Sequence, residues 1–127
     1  MEKFKLERRK IIVTAKLKGP ETEQFFDFIL DTGAGTTVIS EDTAILLGYD
    51  LSKVTPTETF VTAGGRVNAK MIQLHKIEVF GKLASNFRVS VMPFPIQLLV
   101  DGLVGVDFLQ KLKKLKIHFD TQEIEVN

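Results

Sequence analysis

The most constraining feature of this chain is a strand-like segment, residues 25–30, that runs directly into Asp31-Thr32-Gly33. Aromatic and β-branched residues favour an extended strand, and the Gly19-Pro20 turn before them predicts a hairpin with an earlier apolar segment at 11–17. Three common residue types such as Asp, Thr and Gly occur together by chance in many chains. Their position at the end of an apolar strand is what makes them informative.

The rest of the pattern predicts mostly β structure. A turn at Gly64-Gly65 separates strands at 59–61 and 67–72, because paired glycines favour a tight hairpin. Phe4 and Leu6 begin the first β segment, and a last strand pair surrounds Asp120-Thr121-Gln122. Further strands are predicted at 77–80, 87–92 and 98–100.

Two short helices are predicted. Ser40 can cap the first, with Glu41 and Asp42 in its first turn, residues 44–47 as its body and Gly48 as its C′ stop. Residues 108–115 have the spacing of a second helix.

Composition predicts one globular domain over residues 1–127. Its 44% hydrophobic and 26% charged residues are ordinary for a soluble protein, and its apolar runs are too short to span a bilayer. The charged N-terminal residues have no apolar signal region after them, so we expect a cytoplasmic location. With no cysteine and two isolated histidines, His75 and His118, we expect no disulfide, no metal and no cofactor.

The net charge of +1 conceals a clustering of basic residues. Eleven of the 17 Lys and Arg residues lie before Gly19 or between Lys111 and Lys116. Solvated strand and helix faces are the simpler interpretation, and a patch for an acidic partner is the alternative. A nucleic-acid partner is not expected, because no aromatic stacking platform or recognition helix accompanies these residues.

The segment from Asp31 to Ser40 resembles the active-site segment of the retropepsin family of aspartic peptidases. Downstream, the apolar run before Gly105 and the helix-like residues after it resemble the second motif of that family. The Gly64-Gly65 hairpin lies where the family has its flap, and residues 117–126 resemble the terminal strand pair of cellular members. The resemblance implies an all-β, closed-barrel fold with one or two short helices, assembled as a C2 homodimer.

It also implies that Asp31 is the catalytic residue of an aspartic endopeptidase acting on a peptide or protein substrate. This chemistry needs two carboxyl groups that share one proton: the ionised carboxyl activates water and the protonated carboxyl hydrogen-bonds the substrate carbonyl. Asp42, Asp101 and Asp120 lack the full Asp-Thr-Gly pattern, so helix capping and turn formation are expected of them. The second Asp31 must then come from a partner subunit. A turn aspartate that caps nearby amides is the alternative interpretation of Asp31.

The remaining family positions have supporting roles. Thr32 and Gly33 are expected to support the active-site loop, and Ala34 to line the substrate channel. The resemblance places Ala63, Gly64 and Gly65 against the substrate, although an ordinary hairpin turn would explain the glycines equally well. Asp107 has no assigned role beyond that of an acid in the first turn of a helix, because the Arg of retroviral members is absent here. A non-catalytic dimeric scaffold or peptide-binding module is the alternative function.

Overall fold

The computed structural model describes residues 1–62, 65–95 and 98–127. Within these ranges two short helices, α1 (Glu41–Leu46) and α2 (Val106–Leu109), and a 3₁₀ turn at Leu51–Lys53 accompany the strands. The strands are β1 (Glu2–Lys3), β2 (Lys5–Glu7), β3 (Lys10–Lys18), β4 (Glu23–Leu30), β5 (Val38–Ser40), β6 (Pro56–Thr62), β7 (Gly65–Val79), β8 (Lys82–Met92), β9 (Gly102–Val104), β10 (Leu115–His118) and β11 (Glu123–Val126). The prediction of a mostly-β chain with two short helices is therefore confirmed.

The strands form two sheets. The larger has the order β2-β3-β4-β9-β5-β8-β7-β6, and β3 also pairs with β7. In its centre, β4 runs parallel to β9 and β5 runs parallel to β8. The smaller sheet has the order β1-β11-β10, so it joins the two ends of the chain.

Alternation along β3 and β4 supplies much of the core. Ala15 and Leu17 of β3 are fully buried, and so is Phe28 of β4, while neighbouring positions such as Thr14 and Asp27 face outward. This period of two is what a strand with one covered face produces. Phe108 of α2 is fully buried in the same cluster, which anchors the helix beneath the sheet.

The local signals around α1 are confirmed. Ser40 is its N-cap and accepts a hydrogen bond from the Thr43 amide, with Glu41 and Asp42 in the first turn. Gly48 follows the C-cap residue Leu47 with a φ of 102°, the left-handed conformation that glycine adopts without strain. Within the part of the chain that the structure describes, no helix is long and apolar enough to cross a membrane.

The predicted hairpin between residues 59 and 72 is also confirmed, with longer strands. β6 and β7 are antiparallel and remain paired up to Thr62 and Gly65. The predicted strand at 77–80 is the continuation of β7, which ends at Val79. Ala63 and Gly64 lie outside the described residues.

Two predicted elements are wrong. The strand predicted at 98–100 is absent, and the chain forms β9 at Gly102–Val104 instead. Leu99 has a φ of 54°, which an extended strand cannot contain. Strand β9 can lie this close to β5 because its first residue is glycine. A Cβ at position 102 would lie 2.6 Å from the Val38 carbonyl oxygen.

The helix predicted at 108–115 begins earlier, at Val106, and ends at Leu109. Its second half becomes a turn and the start of β10. The Lys113 amide donates to the Asn127 carbonyl, and Leu115 pairs with Val126. The apolar spacing of this segment is compatible with either a helix or a strand, and its pairing with β11 determines that it forms a strand.

Candidate active site

Asp31 stands where β4 ends, and the neighbouring strand fixes its position. Leu30 pairs with Val104 of β9, and the Asp31 amide donates a 3.0 Å hydrogen bond to the Val104 carbonyl oxygen. The backbone of β4 is therefore fixed by β9 as far as Asp31 itself. Asp31 is half-buried at the end of β4.

A tight turn follows and orients the carboxyl group. Asp31 Oδ1 accepts a 2.9 Å hydrogen bond from the Gly33 amide, and the Ala34 amide donates to the Asp31 carbonyl at 3.2 Å. A Cβ on Gly33 would lie 3.2 Å from Asp31 Oδ1, so a larger residue at this position would require the carboxyl group to shift slightly. Such a bond belongs both to an oriented catalytic carboxylate and to a simple turn aspartate. It does not by itself distinguish the two interpretations.

The carboxylate of Asp107 fixes the other end of the loop. The sequence analysis assigned this residue no role beyond that of an acid in the first turn of a helix. Asp107 Oδ1 accepts from the Thr37 hydroxyl at 2.6 Å, and both Asp107 oxygens lie 3.0 Å from the Thr37 amide nitrogen. Thr37 is fully buried. Its hydroxyl oxygen in turn accepts a 3.1 Å hydrogen bond from the Gly105 amide. We call this group of Thr37, Gly105 and Asp107 the loop clamp.

The start of α2 adds backbone bonds to the same loop. The Val106 amide donates to the Ala34 carbonyl at 2.8 Å, and the Asp107 amide donates to the Gly35 carbonyl at 3.1 Å. A Cβ on Gly105 would lie 2.7 Å from the Ala34 carbonyl oxygen. The chain can approach the loop this closely only because residue 105 is glycine.

The structure brings together four of the residues predicted for the site: Asp31, Thr32, Gly33 and Ala34. Thr32 and Gly33 are exposed, and Ala34 is half-buried. Gly65 opens β7 in the hairpin, with a φ of 116°. The predicted contacts of Ala63 and Gly64 with a substrate fall outside the described residues.

The other acidic residues lie in structural positions. Asp101 Oδ2 accepts from the Asp27 amide at 3.0 Å and so ties the segment before β9 to β4. Asp42 lies in the first turn of α1, and Asp120 Oδ1 accepts from the Thr121 amide in the turn before β11. Among the described residues, no three His, Asp or Glu side chains are grouped so that they could hold a metal ion.

Comparison with known proteins identifies the family. The model of a family described as gag-polyprotein putative aspartyl protease matches residues 17–111, which contain both the Asp31 loop and the loop clamp. The chain therefore belongs to this family.

Two other known proteins are similar to this chain. An uncharacterized protein of Rickettsia prowazekii (strain Madrid E) is 31% identical over 93 residues, which are 73% of this chain but 38% of the length of that protein. The crystal structure of a retropepsin-like aspartic protease from Rickettsia conorii matches with a TM-score of 0.70 at 24% identity. The match covers 91% of this chain and 82% of the other, and at this identity it shows a shared fold.

Proposed function

We propose that this chain is an aspartic endopeptidase that hydrolyses peptide bonds with water activated between two Asp31 carboxyl groups of a homodimer. One observation carries the proposal: within the segment that matches the family, the loop that bears Asp31 is fixed at both ends and leaves the residue half-exposed at the end of its strand. Both ends of its loop are fixed, one by Val104 and one by the loop clamp. A general base or acid needs such fixed placement, because misplacement of the reacting groups is costly in rate.

The reaction needs the two carboxyls in different protonation states. The ionised carboxylate takes a proton from water while the water oxygen attacks the carbonyl carbon of the peptide. The protonated carboxyl donates a hydrogen bond to the carbonyl oxygen as negative charge develops there. Proton transfer to the peptide nitrogen then lets the C–N bond break, which yields a carboxylic acid and an amine.

The second carboxyl is assigned to a partner subunit because the sequence holds a single Asp-Thr-Gly. Thr32 and Gly33 are exposed beside Asp31, so this face of the loop is open to a second subunit related by a two-fold axis. The pairing of β3 with both β4 and β7 supports a sheet closed into a barrel. The β1–β11 pairing, which joins the chain ends, supports a single domain over residues 1–127.

The substrate is an extended peptide held between the Asp31 loop and the β6–β7 hairpin. Ala34 would line the groove, and Ala63, Gly64 and Gly65 would lie against the peptide backbone. Extended peptides bind such elements through backbone pairing, and alternate side chains enter pockets. Apolar residues are expected on both sides of the scissile bond.

The proposal is tested by cleavage of a complex peptide mixture, with new termini identified by mass spectrometry. We expect cleavage by the parent protein and none by Asp31→Asn, which removes the titratable group and keeps its size. Asp120→Asn is the matched control, because it makes the same change in a turn outside the site. Cleavage that persists in Asp31→Asn would place the chemistry elsewhere. A folded parent protein that cleaves nothing would favour the scaffold or peptide-binding module.

A further inference from the structure

The structure divides the four lysines that closely follow α2 into two pairs. Lys114 forms an ion pair with Glu125 at 3.5 Å, and Lys116 lies opposite Glu125 in the register of β10 and β11. Lys111 and Lys113 instead line a surface cavity of about 220 Å³. A carboxylate therefore lies beside the first pair, whereas the second pair surrounds a cavity.

Segments that are distant in the sequence meet at this cavity. The turn between β7 and β8 contributes Phe80 and Lys82, the segment after α2 contributes Leu112 and its two lysines, and the end of β11 contributes Val126. Three cationic side chains and three apolar ones are thus brought together. We call this place the lysine cavity.

The backbone around the lysine cavity is fixed by hydrogen bonds. The Lys111 amide donates to the Phe108 carbonyl at 2.9 Å, and the Lys113 amide donates to the Asn127 carbonyl at 2.8 Å. Lys111 Nζ also lies 5.7 Å from the centroid of the Phe87 ring, within the range of a cation–π contact. The lysines are therefore carried by an ordered framework, which lowers the entropic cost of binding a ligand.

The charge of the lysine cavity is not neutralised by the part of the chain that the structure describes. Lys82, Lys111 and Lys113 form no ion pair with any described residue, and no described Asp or Glu lines the cavity. A cleft lined by one sign of charge focuses the field and concentrates ligands of the opposite sign. Solvation alone explains a single surface lysine, but the convergence of three on one cavity favours an anionic ligand.

The floor of the lysine cavity is apolar. Phe80, Leu112 and Val126 are half-buried, and Phe80 and Val126 pack against the hydrophobic core. A phosphate ion has no apolar part that could cover such a floor. A peptide that carries both carboxylates and an apolar side chain can use the floor and the lysines together.

We propose that the lysine cavity binds an acidic peptide segment of a partner protein, with an apolar side chain on the floor and flanking Asp or Glu carboxylates beside Lys82, Lys111 and Lys113. A single exposed ion pair contributes little, so recognition depends on several pairs together. The cavity follows the end of α2, whereas residues at the start of α2 bond to the Asp31 loop. It is therefore separate from the groove proposed for the substrate, and the inference does not depend on cleavage.

The test measures binding of labelled peptides by fluorescence anisotropy on an Asp31→Asn background, so that cleavage cannot consume the peptide. The probe has one leucine between two pairs of glutamates, and its matched counterparts replace either the glutamates by glutamine or the leucine by serine. At about 0.15 M salt, screening confines the effect to nearby charges. We then expect the probe to bind roughly tenfold more tightly than the glutamine peptide and roughly fivefold more tightly than the serine peptide.

The double variant Lys82→Gln/Lys113→Gln removes two of the three charges without breaking an ion pair between described residues, so its melting temperature should match that of the parent protein. Its preference for the probe over the glutamine peptide should fall to within about threefold. The matched control is Lys76→Gln/Lys116→Gln, which removes one exposed lysine of β7 and one of β10 outside the cavity. This control should retain the preference.

Failure of the probe to bind would overturn the inference, as would equal affinities for the glutamate and glutamine peptides. A preference that survives Lys82→Gln/Lys113→Gln, or one that both double variants lose equally, would also overturn it. Equal binding of the leucine and serine peptides would contradict the role of the apolar floor. A thymidine oligonucleotide of the same net charge serves as competitor: if it displaces the probe at a lower concentration than the unlabelled peptide does, the cavity belongs to nucleic acid and the proposal is wrong.

Discussion

A second carboxylate, Asp107, maintains the shape of the Asp31 loop at the scale of single residues. It accepts hydrogen bonds from the Thr37 amide, the Thr37 hydroxyl and the Phe108 amide. Thr37 is fully buried, so water could not take the place of the Asp107 carboxylate as the acceptor of its hydrogen bonds. A buried donor left without a partner is costly, and bonds to a charged acceptor are among the stronger ones in proteins.

Replacement of Asp107 by Ala should therefore lower the free energy of unfolding by about 2–3 kcal/mol. Asp107→Asn keeps one acceptor oxygen for Thr37 and should lose less. Urea denaturation of both variants and of the parent protein measures the difference. If the alanine variant is as stable as the asparagine variant, the hydrogen bonds of the loop clamp are not what stabilises the loop.

The motif Asp31-Thr32-Gly33 was recognisable from the sequence because its residues are contiguous and follow an apolar strand. The loop clamp was not. Asp107 was predicted only as an acid in the first turn of a helix, which the structure confirms for α2. Its bond to Thr37 spans 70 residues of sequence, and no local pattern reports a contact at that separation.

At the scale of elements, the site depends on the close approach of α2 to the Asp31 loop. This approach depends on Gly105, where a Cβ would lie 2.7 Å from the Ala34 carbonyl oxygen and 2.9 Å from the Thr36 carbonyl oxygen. Both are backbone atoms, so relief of the clash must move the loop itself. Since the clamp bonds begin at the adjacent residues, the movement would also lengthen them.

Gly105→Ala should lower the free energy of unfolding by about 1–3 kcal/mol. If Asp31 is catalytic, the displaced loop should also lower kcat/KM on the order of tenfold or more. Gly35→Ala is a matched control for folding, because a Cβ on Gly35 meets nothing within 4 Å. Its melting temperature should remain close to that of the parent protein, measured by circular dichroism. Equal melting temperatures for the two variants would argue against a steric role for Gly105.

Local signals predicted those elements whose ends are set by their own residues. Ser40 caps the start of α1 and Gly48, in a left-handed conformation, follows its end, so the position of this helix could be predicted from the sequence. The segments at 98–100 and 108–115 were assigned wrongly for the opposite reason. Their conformations are set by partners elsewhere, such as Val126 for Leu115, and apolar spacing alone does not report those partners.

For the whole molecule, the proposed chemistry requires two chains. Sedimentation equilibrium should show a dimer under the conditions of the cleavage assay, and the rate per chain should fall on dilution in parallel with the dimer fraction. Asp31→Asn should sediment as the parent protein does, which separates loss of chemistry from loss of assembly. Full activity in a solution that contains only monomer would contradict the shared-carboxyl mechanism.

The order of the strands in the larger sheet could not be predicted from the alternation of apolar and polar residues. Alternation predicts that residues 25–30 form a strand, but it does not indicate that β4 lies beside β9 or that β5 lies beside β8. The residue pattern did predict a mostly β chain, and the strands of the structure confirm that class. The strand order follows from long-range pairing that the structure alone defines.

The parallel pairing of β4 with β9 also determines when the Asp31 loop can form during folding. Phe28 and Leu30 pair with Gly102 and Val104, so the strand end that carries Asp31 lacks its neighbour until most of the chain has been synthesised and collapsed. Contacts this far apart in sequence have a large loop-closure cost and form slowly. A nascent or partly folded chain would therefore expose its peptide bonds before it possesses an ordered Asp31. Under the proposed function, chains that are still folding would therefore be unable to cleave one another.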